Sequence, residues 1–281
     1  MEYSNPEIPE GINYSKTHPL KEFVLLTVGV LGLLLLIFAT LAFFADKLAH
    51  HIPFAMEKDI DAFVMEDSGT HTAMRAYLQQ LADRIAQTQD LEAGMTIKVH
   101  YVDSDVVNAY ATLGGNVVMF RGLLTKLSHE NALAMVMAHE IAHVKHRHPI
   151  RSLGKGIVIG VAISLIDSSM GDAMIQQMVG TTGMVTVLKY SRAHENEADD
   201  TALASLMQLY GHVTGAEELF RYIQAQSKDD LDFQPEFLTT HPGVQTRIAK
   251  IQAMAAAQGP QSLQALPEEF RQWLKPDKEP E

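Results

Sequence analysis

Residues 137–148 read MAHEIAHVKHRH, and within them His139-Glu140-Ile141-Ala142-His143 decides how the rest is read. The neighbours Ala132, Leu133, Met135, Val136 and Met137 are apolar and favour a helix. Ser128 is the expected N-cap of that helix, which should run through His146 and stop at Pro149. Residues four apart share one helix face, with Cβ atoms about 5–6 Å apart. His139 and His143 can therefore both reach one tetrahedral metal ion. Glu140, next to the first imidazole, can reach a water on that metal without replacing it, the geometry a general base needs. Burying three ionisable groups among alanines and methionines is costly unless a metal or partner compensates. With 13 histidines in the chain a five-residue pattern is short. Its apolar helical setting is what separates it from a polar patch on a core helix.

A catalytic zinc takes three protein ligands and keeps one position open. A third histidine six residues beyond His143 is excluded, because that position is Pro149 and the glycine such a pattern needs is His146. His146 itself lies about 10.5 Å along the helix from His139, too far to share the ion. A later carboxylate remains. Residues 191–200 read SRAHENEADD and run into the helix former TALASLM. Glu195 and Asp199 share a face, so one can ligate while the other accepts a hydrogen bond from a ligand histidine. Glu197 points about 160° away from Asp199 and is the poorer candidate. Spacing alone leaves Glu195 and His194 open as the third ligand.

Outward from these segments, Phe23–Phe44 reads FVLLTVGVLGLLLLIFATLAFF without an ionisable group. At about 1.5 Å per residue it spans about 33 Å, enough for a hydrocarbon core of about 30 Å. A cleaved signal has a shorter apolar centre followed by small residues, whereas this run ends on Phe43 and Phe44. An uncleaved single-pass anchor over 23–45 is expected, touching the bilayer through those residues. Lys16 and Lys21 before it and Lys47 and Lys58 after it determine orientation poorly, with a lean to the domain lying outside. The net charge of −12 excludes the clustered basic surface that nucleic acid needs. The absence of cysteine removes disulfides and thiolate metal sites.

Between anchor and motif, Ala73–Gln87 has helical periodicity. Thr96–Tyr101 alternates as a half-buried strand, and Asn116–Phe120 reads as a second strand, hairpin-paired with the first across Gly114-Gly115. Further helices are expected at about 191–210, 214–227 and 242–257. Gly156–Ile166 is apolar but too short to span a bilayer. Met170, Met174, Met178 and Met184 recur at helical spacing, and glycines from Gly154 to Gly183 mark a candidate lid. His241-Pro242 alone reads as a helix N-terminus.

Taken in order, these motifs resemble the integral-membrane zinc proteases that include bacterial HtpX and the eukaryotic CAAX prenyl proteases, with their periplasmic and mitochondrial relatives. The resemblance spans about residues 70–255. HEIAH matches the zinc helix, and SRAHENEAD the family's S-R-x-x-E-x-x-A-D, which places the third ligand on Glu195 and the accompanying acid on Asp199. Asn108-Ala109, Gly114-Gly115 and Arg121-Gly122-Leu123 resemble its substrate-edge region, implicating Asn108, Gly115 and Asn116 in substrate binding. Thr240-His241-Pro242 with Arg247 resembles its His-Pro…Arg signature, implying that His241 stabilises the oxyanion and Arg247 steadies the acidic ligand. The relatives' several spans contrast with the one clear span here, so their substrates are not carried over.

The expected fold is α+β, mainly helical: a zincin-type domain with a small β-sheet, preceded by one transmembrane helix. Its parts are a flexible tail (1–22), anchor (23–45), linker (46–69), metalloprotease domain (70–257) and loosely ordered C-terminal tail (258–281). The expected function is zinc-dependent endopeptidase action on protein or peptide substrates, in protein quality control, with one Zn2+ per chain and Glu140 activating its water. Substrate would add as a strand to an unpaired edge of 115–120. The alternatives are a membrane-tethered chaperone or scaffold without turnover, and a metal store. Retention of Glu140 with all three ligands speaks against both.

Overall fold

The computed structural model describes residues 18–49, 51–59, 71–164, 190–229, 237, 241 and 244–275. The methionine stripe at 170–184, most of the glycine-marked segment and the end of the 156–166 apolar run lie outside them, as do residues 1–17 of the N-terminal tail. Helix α1 (Pro19–Ala49) contains the expected anchor. Its Pro19–Phe44 stretch is long and apolar enough to cross a membrane, with large apolar side chains exposed from Leu20 to Phe44.

The domain that follows is mainly helical around one small sheet. Helix α2 (Phe54–Asp59) falls inside the expected linker, yet its Phe54 and Glu57 are buried. Helix α3 (Thr72–Ala86) buries Met74, Leu78, Leu81 and Ile85, the stripe that its periodicity predicts. Strands β1 (Lys98–Val102), β2 (Ala109–Ala111) and β3 (Asn116–Phe120) form a sheet in the order β1-β3-β2.

The pairing corrects the hairpin expectation. β1 runs parallel to β3, Lys98 opposite Asn116 and Val102 opposite Phe120. The antiparallel partner of β3 is β2, with Tyr110 opposite Val118. The glycine turn is real but belongs to the β2–β3 connection, where Gly114 and Gly115 take φ +69° and +83°. β3 is thus the central strand, and its Val117 and Met119 enter the main core while Val118 and Phe120 face a second cluster with Tyr110 and Tyr190. Both faces are covered, which is why its sequence is a continuous apolar run.

Helix α5 (Glu130–Lys145), preceded by the short α4 (Arg121–Leu124), passes through the middle of the domain, buried from Glu130 to Val144. It starts one residue later than expected. His129 is its N-cap, and the Ser128 N–H instead donates to Glu218 Oε1 at 2.8 Å. It ends at Lys145, one residue short of the expected His146, because Arg147 takes a left-handed φ of 59° and turns the chain into α6 (His148–Ser164); Pro149, expected to stop α5, sits in the first turn of α6 instead. Helix α7 (Arg192–Tyr210) packs more extensively on α5 than any other described element. Ser191 Oγ caps it by accepting from the His194 N–H, and Gly211 at φ 77° closes it. Helices α8 (Glu218–Asp229), α9 (Val244–Gln258) and α10 (Phe270–Trp273) complete the domain.

The expectation of a loose C-terminus from 258 is corrected as well. Phe270 is fully buried, Ala265 bridges to His129, and Arg271 donates to the carbonyls of Thr125 and Leu127. Its Gln- and Glu-rich composition hides three apolar anchors, Phe270, Trp273 and Leu274.

Candidate metal centre

Two helices and one later residue bring the ionisable motifs together. The i, i+4 spacing on α5 sets the imidazoles of His139 and His143 side by side, Nε2 to Nε2 3.0 Å apart. The Ser191 cap fixes the register of α7 so that Glu195 falls in its first turn. Glu195 Oε2 lies 3.5 Å from His139 Nε2, and Oε1 lies 3.4 Å from His143 Nε2. His241 enters the same group, its Nδ1 3.2 Å from His139 Nε2 and 3.1 Å from Glu195 Oε1. One donor atom from each of His139, His143, Glu195 and His241 lies within 4.8 Å of the others, all four side chains buried.

Atoms about 2.0–2.1 Å from a tetrahedral ion stand about 3.3 Å from one another. The observed spacings of 3.0, 3.1, 3.2, 3.4 and 3.5 Å bracket that value. Imidazole nitrogens and a carboxylate oxygen suit a borderline ion such as zinc. Glu140 adds an independent sign. It is fully buried, and neither carboxylate oxygen has a hydrogen-bond partner among the described residues. His241 Nε2 lies 3.5 Å from its Oε1. A buried carboxylate without hydrogen-bond partners is strongly disfavoured, which marks the pocket around Glu140 as a candidate site.

The surrounding charges are ordered by Arg247 on α9. Its Nε and Nη2 grip Asp199 at 2.8 and 2.6 Å, Nη1 donates to Glu195 Oε2 at 3.1 Å, and the guanidinium lies 4.3 Å over the Phe220 ring. Asp199 Oδ1 in turn stands 3.0 Å from His139 Nδ1. Burial opposes ionisation of Glu195, but His241, His139 and His143 outweigh it and hold the carboxyl well below its usual range. Burial likewise opposes Asp199, and Arg247 with His139 brings it to about 2. For His139, burial and Arg247 disfavour the charged form; hydrogen bonds to Asp199 and Glu195 prevail and hold its pKa at about 9. Burial leads the opposite result for His143, which is pushed well below the ordinary histidine value.

Residues 72–255 match peptidase family M48. The chain belongs to that family. Over 180 residues it is 28% identical to the beta-barrel assembly-enhancing protease of Escherichia coli strain K12, covering 58% of this chain and 35% of the relative. The Yersinia pestis protein of the same name is 26% identical over 188 residues, 62% of this chain and 37% of the relative. A mitochondrial metalloendopeptidase of Schizosaccharomyces pombe is 26% identical over 177 residues, 63% of this chain and 51% of the relative. The chain thus spans between about a third and a half of the length of these curated relatives. The matched region runs from α3 into α9, taking in both metal segments and Arg247 but neither α1 nor α2.

The expected substrate residues Asn108, Gly115 and Asn116 are not among the donor group. Asn116 is buried at the start of the central strand, its Nδ2 donating to the Leu113 carbonyl and its Oδ1 2.8 Å from His100 Nε2. Gly115 has a structural reason to be glycine: a Cβ there would stand 2.0 Å from the Thr96 carbonyl oxygen. Asn108 is buried and accepts from the Ala109 N–H at 2.9 Å. Because β3 pairs on both sides, it offers no unpaired edge, which overturns the expected strand-addition site. On the flank of β3 away from β1 lies β2, a three-residue strand that sequence periodicity does not register; among the described residues it is an edge of the sheet, and all three of its residues are buried. Phe120 N–H donates to the Asn108 carbonyl and Thr112 N–H to the Asn116 carbonyl, so the alternate residues Ala109 and Ala111 turn their backbone groups outward.

Tyr190 stands at that edge. Its hydroxyl donates to the Ala111 carbonyl at 3.3 Å, and its ring stacks on His143 with centroids 3.8 Å apart. Burial, then Glu140 and Glu195, push its pKa well above the usual range, so it remains a donor. Tyr190 was not expected at the site. The sole sequence signal is its place immediately before Ser191-Arg192.

Proposed function

We propose that this chain is a membrane-attached, zinc-dependent endopeptidase, with His139, His143 and Glu195 as ligands and Glu140 as general base. The observation that carries the reading is the buried, unpartnered Glu140 beside four donors spaced as around a tetrahedral ion. A bound zinc supplies a Lewis acid that brings a water's pKa to about 7 and polarises a carbonyl. Glu140 then takes the proton of the attacking water and passes it to the leaving amine. Three protein ligands leave the fourth position to water and substrate. His241, whose Nδ1 lies 3.2 Å from His139 Nε2, would stand beside that position and face the developing oxyanion. Asp199 holds the tautomer and orientation of His139, and Arg247 holds Asp199 and Glu195.

A substrate would add as a strand along β2 at Ala109 and Ala111, replacing the side-chain partners Asn108 and Tyr190 that now hold the Ala109 N–H and the Ala111 carbonyl, a mode that reads backbone more than side chains. Loose sequence preference of that kind suits disposal of misfolded protein. The helix Pro19–Phe44 would hold the domain at a bilayer. A scaffold without turnover explains neither the bare carboxylate of Glu140 nor its place beside the donors. The test is metal analysis and product mapping on the full chain in detergent. We expect one zinc per chain and chelator-sensitive internal cuts in unfolded casein, restored by zinc. Stepwise loss of single residues from one end of the substrate would refute endopeptidase action.

A further inference from the structure

The two histidine ligands are steadied by different neighbours. His139 turns its outer nitrogen, Nδ1, to the carboxylate of Asp199 at 3.0 Å. His143 turns its outer nitrogen, Nδ1, to another imidazole: His148 Nδ1 lies 2.8 Å away. The far nitrogen of that ring, Nε2, lies 3.1 Å from Glu197 Oε2.

One assignment of protons satisfies the whole chain of contacts. His143 Nε2 faces the donor group, so its proton sits on Nδ1 and is donated to His148 Nδ1. His148 must then carry its own proton on Nε2, which donates to Glu197. His148 is buried and stacked on His194, centroids 4.1 Å apart and planes 13° from parallel. Glu197 is about half exposed at 47%, and His146 Nδ1 at 3.2 Å from its Oε1 keeps it in place. His146 is fixed in turn by Thr201 Oγ1 at 2.8 Å from its Nε2.

We propose that His148 and Glu197 are positioning residues for the ligand His143, acting in series: Glu197 fixes the tautomer of His148, and His148 fixes the orientation and basicity of His143. The inference rests on the metal-centre reading above. It gives the face of α7 that points away from Asp199 a function, since Glu195, Glu197 and Asp199 then serve one ion by three routes. It also accounts for the left-handed turn at Arg147, which brings the first residue of α6 back against the helix it leaves. Partners of a ligand imidazole are worth about 10–100-fold in metal affinity or activity.

The test uses the full chain with His148→Phe, Glu197→Gln and the double variant. It reads zinc affinity by competition with a chelating dye, and the visible spectrum of the cobalt-loaded protein. Phenylalanine keeps the ring stack on His194 while removing both nitrogens. His148→Phe should weaken zinc binding about 10–100-fold and shift the cobalt bands. Glu197→Gln, at a half-exposed position that leaves the core untouched, should weaken it by a smaller factor, and should add nothing to His148→Phe. Zinc affinity within about twofold of wild type and an unchanged cobalt spectrum in Glu197→Gln would overturn the proposal, as would an equal cost of Glu197→Gln in both backgrounds. A wild-type chain that takes up no zinc refutes the metal centre itself, and the inference with it; a zinc-binding wild type with indifferent variants refutes the inference alone.

Discussion

Replacing Arg147 by methionine should destabilise the domain far more than its position in a turn suggests. Arg147 and Glu57 form an ion pair with side chains only 3% and 4% exposed, Nε and Nη2 reaching Oε1 at 2.8 and 2.7 Å. Nη2 also donates to the Ile52 carbonyl at 2.6 Å, and Glu57 Oε2 accepts from the Gly114 N–H at 3.2 Å. Methionine keeps the apolar stem and meets the same left-handed backbone, so the lost charge dominates. Glu57 would be left buried with one backbone donor, a situation costing about 3–5 kcal/mol. At about 2–4 °C per kcal/mol for a domain of this size, the midpoint should fall by about 6–20 °C. Removing the pair is different from breaking it. Glu57→Gln together with Arg147→Met should recover at least about 2 kcal/mol of that loss. The chain's single tryptophan, Trp273, packs against Tyr77 and Phe270, so its fluorescence in a urea titration of the detergent-solubilised chain reports the transition. A single variant within about 1 kcal/mol of wild type, or a double variant no more stable than the single, would refute the clamp.

Other outcomes follow from the site. Tyr190→Phe frees the Ala111 carbonyl for a substrate N–H; one net hydrogen bond of about 1 kcal/mol predicts a KM lower by about fivefold with kcat kept, and a raised KM counts against the β2 edge as the substrate site. His139, held at about 9, carries a proton in the metal-free chain below that pH, whereas His143 is already neutral. Zinc must displace that proton, so affinity should rise about tenfold per pH unit through neutrality and level off near pH 9. Calorimetry at pH 7.5 in two buffers should show about one proton released per zinc, and none released would contradict the assignment. Gly115→Ala, meeting both a φ of +83° and the Thr96 carbonyl, should cost about 2–5 kcal/mol of stability. Its folded fraction should bind zinc as wild type does, since the residue supports the sheet rather than the ion.

The parts of the architecture legible in the sequence are those governed by local periodicity. The long apolar helix α1 needs only an uncharged run, and α3, α5 and α7 declare themselves through helical stripes and strong formers. His139 and His143 are fixed relative to each other by one helical turn, so their proximity needs no tertiary knowledge. What escaped depends on pairings distant along the chain. Whether β3 runs parallel to β1 or forms a hairpin with it is decided by β2, three residues long and too short for any alternation to show. Glu57 and Arg147 are ninety positions apart, and nothing local marks either as buried. Glu197 looks like a solvated acid on the far side of α7, until α6 brings His148 against it. The entry of His241 into the donor group itself depends on a long-range return of the chain to α5 and α7.

The most direct measurement compares wild type with Glu140→Gln for casein cleavage, with zinc content determined on both. The substitution keeps the shape of the side chain and removes its capacity to accept the water's proton. Both proteins should hold about one zinc, and the variant should lose about 10²–10⁴-fold in rate. A variant that cleaves at the wild-type rate, or a wild type that holds no metal, contradicts the account.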